Sequence, residues 1–268
     1  MSLSVENKFI VLDKTSTIKV EGDDRVQFLQ GLLTQDINLV SQNKALYAGF
    51  CNPKGRMLAF MLCYLDHESI HIQIDSSIQD FILQKLKMYI LRSKVSLKLA
   101  NETFTCVGFV GSKVLLTKNI QPPKNYLDII QSDDIMIMRL GKDDDRYQLM
   151  GETSKVNEFM KLNFSEYSSM SFDDWNNLNI LDGIPDIYPT TQEAFIPQSL
   201  NMDLIEGINF KKGCYTGQEI VARTHYLGKV KRRMYRAFIK SRVDLNPGDL
   251  ILNNNGEEIG QLVRSEEH

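Results

Sequence analysis

Strand-like segments that alternate with two helical ones are the feature that most constrains the fold of this chain. At the start of the chain, two strand-like segments precede a helical repeat of apolar residues at positions 26–33. Three strand-like runs follow, then a helical apolar stripe over residues 78–90 and a strand over residues 94–99. Because the apolar spacing switches between the strand period and the helix period, this stretch predicts an α+β lobe with the order strand, helix, three strands, helix, strand.

A second, less regular version of this order follows. Strand-like runs cover residues 103–110, 126–131, 135–140 and 146–150, and residues 154–162 have helical spacing. The two halves share no residue-level repeat, so the pattern indicates duplication only at the level of elements. We expect one domain of two lobes, residues 1–100 and 101–228, and then a C-terminal β piece over residues 229–268, where the strand pattern resumes.

Two helices have recognisable end signals. Ser77 with Asp80, and Ser171 with Asp174, have the spacing of a capping box at a helix start. Gly183 suits the residue after the end of the second helix, since glycine readily adopts the left-handed conformation required there. The sequence therefore predicts helices that begin next to Ser77 and Ser171.

The charge of the chain is unevenly distributed. The net charge is −3, but residues 211–236 contain eight Lys or Arg and one acidic residue. An acidic body with one basic segment indicates a binding site for an anion rather than a general nucleic-acid coat. If residues 229–236 form a strand, its cations either contact the phosphate or carboxylate groups of a ligand, or lie solvated on a protected edge.

The lengths of the apolar runs and the spacing of the cysteines limit the classes of protein to which this chain can belong. The longest apolar run, residues 57–65, has the length of a strand and is far too short to span a membrane. The four cysteines are widely spaced and match no zinc motif, and Cys63 and Cys106 fall in strand patterns and are expected in the core. We therefore expect a cytoplasmic protein with free thiols, no metal site and no membrane partner.

The most informative motif occupies residues 211–219. Gly213 and Gly217 flank a Cys–Tyr pair and allow a tight backbone path. A helix can start at Gln218, so Cys214 would lie just before a helix N-terminus and close to Lys212. Both influences favour the thiolate, which predicts a reactive cysteine; the alternative is a small buried residue in a turn.

This motif, KGCYTGQEIVAR over residues 212–223, resembles the signature of the YgfZ family, folate-binding proteins related to the glycine-cleavage T-protein. Further matching segments occur in the same order along residues 8–240. They are GDDRVQFLQGLLTQDI from Gly22, CNPKGRM from Cys51, LRSKV from Leu91, the stretch from Trp175 to Pro185, and FIPQSLNMD from Phe195.

The resemblance implies an α+β fold of two folate-binding lobes around a central cavity, followed by a small β-barrel. The cavity would bind tetrahydrofolate or a derivative. The family is linked to iron–sulfur cluster assembly or repair and, through iron–sulfur enzymes, to tRNA modification. Expected partners are therefore iron–sulfur enzymes or assembly proteins, with tRNA indirect. The 40 residues after position 228 are few for a complete barrel, so we expect an incomplete one.

The resemblance also implies the site residues. Cys214 is the functionally essential thiol, and its role as nucleophile, redox thiol or transient cluster contact stays open. The residues implied in folate binding are Trp175, Asp182, Gln198, Gln218 and Glu219. Trp175 has a second interpretation as a core residue, because it lies on the apolar stripe of its helix.

Departures from the T-protein leave the enzyme status open. The catalytic aspartate of the T-protein aligns with Leu58 or Ala59, and its folate-contacting acid aligns with Leu181, beside Asp182. Thr15 stands where the family has a second folate-associated tryptophan. Aminomethyl transfer by the T-protein route is therefore not expected. The alternatives are a one-carbon transferase that uses Asp182, or a non-enzymatic tRNA- or protein-binding module that uses the basic segment.

Overall fold

Two β-sheets and their flanking helices build the protein. The computed structural model describes residues 7–132, 134–239 and 244–265. The strands in these ranges are β1 (Lys8–Val11), β2 (Thr15–Glu21), β3 (Leu46–Cys51), β4 (Met57–Asp66), β5 (Ser69–Asp75), β6 (Ser96–Leu99), β7 (Phe104–Val110), β8 (Ile129–Ser132), β9 (Ile135–Arg139), β10 (Arg146–Glu152), β11 (Ser168–Ser169), β12 (Leu250–Leu252) and β13 (Glu258–Gln261). The helices are α1 (Arg25–Gln30), α2 (Gln79–Met88), α3 (Lys113–Thr117), α4 (Thr153–Asn163), α5 (Phe172–Leu181) and α6 (Gln218–Tyr226).

The two large sheets have related strand orders. The first is antiparallel with the order β3-β4-β5-β2-β6, and the second has the order β11-β1-β7-β10-β9-β8. In the second sheet β1 and β11 are parallel, whereas its other neighbouring strands are antiparallel. The order strand, helix, three strands, helix, strand, predicted for the first half, is present there over β2–β6, and the second half has the same order over β7–β11 because α3 and β11, which the sequence did not predict, complete it. Strand β1, from the first half of the chain, lies in the second sheet. The boundary between the two sheets is therefore not a single point in the sequence.

The sheets pack face to face, and each is covered by helices on its outer face. Along β4, Phe60 and Leu62 point into the central core between the sheets, whereas Met61 and Cys63 pack towards the helices of the first half. This alternation follows from the two-residue period of a strand. A third cluster packs the second sheet against α3 and α4. The result is four layers: helices, sheet, sheet and helices.

Polar side chains occupy part of the central layer. Gln148 on β10 donates from Nε2 to Oε1 of Gln73 on β5 at 2.9 Å, and Gln73 Nε2 donates to the Cys106 sulfur at 2.8 Å. All three side chains are buried. A buried amide without a partner is costly, so this chain of hydrogen bonds ties the inner faces of the two sheets together.

Helix α5 matches its predicted ends, whereas α2 does not match its predicted start. The Ser171 hydroxyl accepts the Asp174 N–H at 3.0 Å, and Gly183 has a positive φ of 69°. The predicted cap at Ser77 is wrong, because a short 3-10 turn over Ser76–Ile78 precedes α2. The carboxylate of Asp75 caps that turn by accepting the Ser77 N–H at 2.9 Å.

The C-terminal region differs from the prediction. Residues 229–239 contain no strand, since Arg233 and the Met234 carbonyl bind side chains of Asp203 and Asn201 instead of a neighbouring strand. Over residues 244–265 the strands are the antiparallel pair β12 and β13, and no closed barrel forms in that range. Among the described residues, no helix combines the length and apolar character needed to cross a membrane.

Trp175 and Gly108 provide a test of the packing between α5 and the second sheet. A Cβ atom at Gly108 would lie 2.6 Å from Cη2 of the buried Trp175 ring. We expect Gly108→Ala to destabilise the protein by about 1–3 kcal/mol, as overpacked core substitutions do. Gly213→Ala is the matched control, because a Cβ there meets nothing within 4 Å. Equal urea midpoints for the two variants would contradict this packing.

Candidate functional site

A cavity lies between the two sheets, next to α5. We call it the first cavity; its volume is about 100 Å³. Its aromatic lining residues are Tyr47, Phe60, Phe172, Trp175 and Tyr188, and its polar ones are Lys14, Thr15, Gln73, Asp75, Gln148, Asn176, Asn179, Asp186 and Arg264. Flat apolar faces with several converging amides and two carboxyl groups suit a small planar polar ligand.

Trp175 both packs in the core and lines this cavity. The residue is only 4% exposed. One end of its ring lies against Gly108, and the Arg146 guanidinium carbon lies 5.4 Å from the ring centroid. Trp175 is therefore a core residue that also borders the first cavity, and its contact with folate stays a prediction.

Asp186 is a cavity residue that sequence reasoning missed. It follows α5 and the Gly183 turn, and its Oδ1 accepts the Ile187 N–H at 2.8 Å. Burial raises the pKa of Asp186 to about 7, and the charge of Arg264 partly opposes that rise. An acid inside the apolar run Ile184-Pro185-Asp186-Ile187 was the available signal.

Arg264 brings the C-terminal region to the same cavity. Its guanidinium donates to the Asn176 side-chain oxygen at 2.7 Å and to the Ile184 carbonyl at 3.3 Å. Arg264 therefore fixes the end of the described chain against α5 and the segment that contains Asp186.

Asp182 forms an ion pair instead of lining the cavity. It caps the end of α5, and its Oδ2 accepts a hydrogen bond from the guanidinium of Arg146, whose side chain is fully buried. Burial raises the pKa of Asp182, and Arg146 opposes that rise. The carboxylate therefore neutralises a buried cation, and its contact with folate stays a prediction.

The loop that contains Cys214 is fixed by Lys212. The Lys212 ammonium donates to the carbonyl oxygens of Gln30, Leu33 and Gln35 at 2.8, 2.7 and 3.0 Å. These carbonyls lie at and just beyond the end of α1, where helical carbonyls lack partners within the helix. Burial lowers the pKa of Lys212 to about 8. Lys212 therefore attaches the loop to the first half of the chain and is not free to bind an anion.

Cys214 differs from the other three cysteines in its exposure. Cys51, Cys63 and Cys106 are buried, as predicted for the last two, and burial raises their thiol pKa values to about 12, 12 and 11. Cys214 is exposed on the loop before α6, which begins at Gln218 as predicted. Across the three described ranges, no group of three or more His, Cys, Asp or Glu is placed to hold a metal ion.

The three remaining predicted folate-binding residues lie on α6 or against it. Gln198 is buried and donates from Nε2 to the Val221 carbonyl at 2.7 Å, while Gln218 and Glu219 form the first turn of α6. None of the three lines the first cavity, and neither does Cys214. The structure thus places Gln198, Gln218 and Glu219 at α6, the helix that follows the Cys214 loop, and Trp175 at the first cavity.

Part of the basic segment is occupied by intramolecular ion pairs. Arg233 forms a two-pronged pair with Asp203, with both distances 2.8 Å, and Arg232 pairs with Glu258 at 2.8 Å. With Lys212, three of the eight cations already have internal partners. The local positive charge available to an anion is therefore smaller than the sequence indicates.

The chain is similar to curated proteins named tRNA-modifying protein YgfZ. It is 31% identical to the one from Hamiltonella defensa subsp. Acyrthosiphon pisum over 230 residues, which is 84% of this chain and 68% of the relative. It is also 31% identical to the one from Blochmanniella pennsylvanica, with 85% and 70% of the two chains covered. No family model matches the chain.

One solved structure is similar over almost the whole chain. It is the glycine cleavage system aminomethyltransferase T from Bartonella henselae, with a TM-score of 0.74, 15% identity, and coverage of 97% of this chain and 74% of that chain. This similarity confirms the predicted mixed α/β fold of the T-protein type.

The contacts of Lys212 predict a large effect of its removal. We expect Lys212→Met to destabilise the protein by about 2–4 kcal/mol, because three buried carbonyls lose their donor. Lys211→Met is the matched control: Lys211 is exposed, and a surface substitution costs about 0.5 kcal/mol or less. The measurement is urea unfolding of both variants. Similar unfolding free energies for the two would contradict the anchoring role.

Proposed function

Because the chain belongs to the YgfZ family of tRNA-modifying proteins, we propose that it binds tetrahydrofolate or a related folate in the first cavity. In that role it supports the assembly or repair of clusters in iron–sulfur enzymes that modify tRNA. The single observation that carries the folate proposal is the cavity itself, where Trp175, several amides and Asp186 converge.

The lining residues fit the pterin ring of a folate. A pterin is flat and has an edge of amino and N–H donors beside a carbonyl acceptor. The Asp186 carboxylate can accept from the donors, and the side chains of Gln73, Gln148 and Asn176 can both donate and accept. Trp175 offers an aromatic surface. Whole small-molecule pockets measure about 300–1,000 Å³, so a cavity of about 100 Å³ suits the ring and not the whole folate.

A bound folate would carry one-carbon groups, and the protein would hold the folate in a fixed position. The buried amide chain through Gln73 and Gln148 fixes one wall of the cavity. Asp186 holds the donor edge of the ring. The alternative function, a one-carbon transferase, would use this acid in place of Asp182, whose carboxylate already pairs with Arg146.

Cys214 acts on a partner rather than on the folate. Its exposed thiol lies on an anchored loop outside the first cavity. Such a thiol is accessible to another protein, as nucleophile, redox thiol or contact of a cluster held by an iron–sulfur enzyme. We place this activity in the cytoplasm, with tRNA affected through the partner enzyme.

The two sheets represent two copies of one lobe. Support comes from the shared order of strands and helices in the two halves and from the related strand orders of the sheets. The first cavity then lies at the junction of the copies. The hairpin β12–β13 belongs to the separate C-terminal piece, from which Arg264 reaches the cavity.

Calorimetric titration with tetrahydrofolate tests the folate proposal. We expect Asp186→Asn to weaken binding by about tenfold or more, because a charge-assisted hydrogen bond is worth about 1.5–3 kcal/mol. Trp175→Phe should weaken it to a smaller extent. Cys214→Ala should bind like the wild type, since the thiol lies outside the cavity.

The matched control for Asp186→Asn is Asp173→Asn, which changes an exposed acid on α5. Thermal unfolding of each variant establishes that it is folded. Absence of binding by the wild type would overturn the folate proposal, and weakening by Cys214→Ala alone would move the ligand to the Cys214 loop.

The raised pKa of Asp186 predicts a pH dependence. The ionised carboxylate accepts from the ring donors, so tetrahydrofolate should bind about tenfold more weakly at pH 6 than at pH 8, and Asp186→Asn should abolish the difference.

The same raised pKa predicts a pH dependence of stability without ligand. Between about pH 4 and pH 7, Asp186 in the native state keeps a proton that it has lost in the unfolded chain. Stability of the wild type should therefore fall as the pH rises from about 4 to about 7, a slope that denaturant titrations would detect and that Asp186→Asn should lack.

A further inference from the structure

The segment that follows α6 exposes large apolar side chains. In the described part of the chain, four such side chains are more than 80% exposed, and three of them, Leu227, Tyr235 and Phe238, lie within residues 227–238. Several exposed apolar side chains close together indicate an interaction site rather than chance exposure. We call residues 227–238 the basic–aromatic segment.

The same segment has cations that no acid neutralises. Lys229, Lys231 and Arg236 are exposed, and none of them forms an ion pair with another described residue. The guanidinium carbon of Arg236 lies 5.9 Å from the centroid of the Phe238 ring, which is a cation–π distance. The segment therefore offers positive charge and aromatic surface side by side.

The middle of the segment is held in place by Arg233. Besides its ion pair with Asp203, Arg233 donates to the Gln198 carbonyl at 3.3 Å. The side chain of Gln198 in turn donates to the Val221 carbonyl of α6 at 2.7 Å. Gln198 thus ties the centre of the segment to the helix that precedes it. An anchored segment loses less conformational entropy on binding than a free one, so the exposed rings are prepared for a partner.

This combination fits a single strand of nucleic acid better than a membrane surface. Proteins that bind single strands combine cations along the phosphate backbone with aromatic rings on which bases stack. A segment that lies on a membrane would be an amphipathic helix with one apolar face, whereas residues 227–239 form neither helix nor strand. The mixture of free cations and exposed rings therefore favours stacking on bases.

We infer that the basic–aromatic segment binds single-stranded RNA. The phosphates contact the free lysines, Lys229 and Lys231. The bases stack on Tyr235 and Phe238. The choice of RNA over DNA rests on the proposed function, which ends in tRNA modification, but direct contact with an RNA strand goes beyond that function, in which tRNA is affected only through a partner enzyme. The segment lies outside the lining of the first cavity.

Fluorescence anisotropy of a labelled, unstructured RNA of about ten nucleotides, titrated with the full chain, tests this inference. Phe238→Leu keeps apolar surface but removes the ring, and should weaken binding by about fivefold or more, the loss expected when one base no longer stacks. Lys231→Gln should also weaken binding, and should lower the slope of log affinity against log salt concentration by about 0.7.

The chain offers a matched control for each variant. Phe81→Leu changes another exposed ring with a nearby cation, since the Lys85 ammonium lies 5.6 Å from its centroid on α2. Lys118→Gln changes an exposed lysine outside the segment. Both controls should bind the RNA like the wild type, and thermal unfolding establishes that all four variants are folded.

The outcomes separate this inference from the folate proposal. Absence of RNA binding by the wild type overturns it, even if vesicles of anionic lipid bind instead. It is also overturned if either Phe238→Leu or Lys231→Gln binds like the wild type, or if a duplex of the same RNA binds as tightly, because paired bases cannot stack on the rings. Asp186→Asn should keep full RNA binding, so a loss of folate binding alone leaves this inference standing.

Discussion

The packing of two sheets whose inner faces are partly polar is the constraint on which the structure depends. Apolar side chains fill most of the outer faces, which α1 to α4 cover, and the buried hydroxyl of Ser16 on β2 donates to the side chain of Gln79 on α2. The inner faces contain Gln73, Cys106 and Gln148, whose buried polar groups need hydrogen-bond partners between the sheets. Their hydrogen-bond chain satisfies this requirement. The first cavity opens beside it, where the same polar residues become available to a ligand.

Lys212, the buried lysine of the sequence motif, anchors the loop and does not bind a ligand. Lys212 is buried against three carbonyls near the end of α1, and this position costs the ammonium its hydration but returns three acceptors. The result is a loop held firmly on one side while Cys214 stays exposed on the other. Within this motif Lys212 therefore anchors the loop, whereas the thiol of Cys214 stays accessible. A count of charges in the sequence does not tell an anchoring lysine from a ligand-binding one.

The sequence predicted several helix ends, because these depend on interactions between residues close together in the chain. The cap at Ser171, the left-handed Gly183 and the start of α6 at Gln218 are all set by residues within one helical turn. Long-range pairing was not predictable in this way. Nothing in β1 indicates that it joins the second sheet, and α3 has five residues and no side-chain cap. Asp186 was missed because a single acid in an apolar run becomes a cavity residue only through contacts made by α5 and Arg264.

A continuous set of contacts connects the first cavity to the Cys214 loop. Tyr47 lines both the first cavity and a neighbouring cavity of about 560 Å³, and Gln35 also lines that neighbouring cavity. The backbone carbonyl of Gln35 accepts from Lys212 at 3.0 Å, two residues from Cys214. The neighbouring cavity is therefore bordered both by a wall residue of the first cavity and by Gln35, whose backbone carbonyl accepts a hydrogen bond from the loop anchor Lys212.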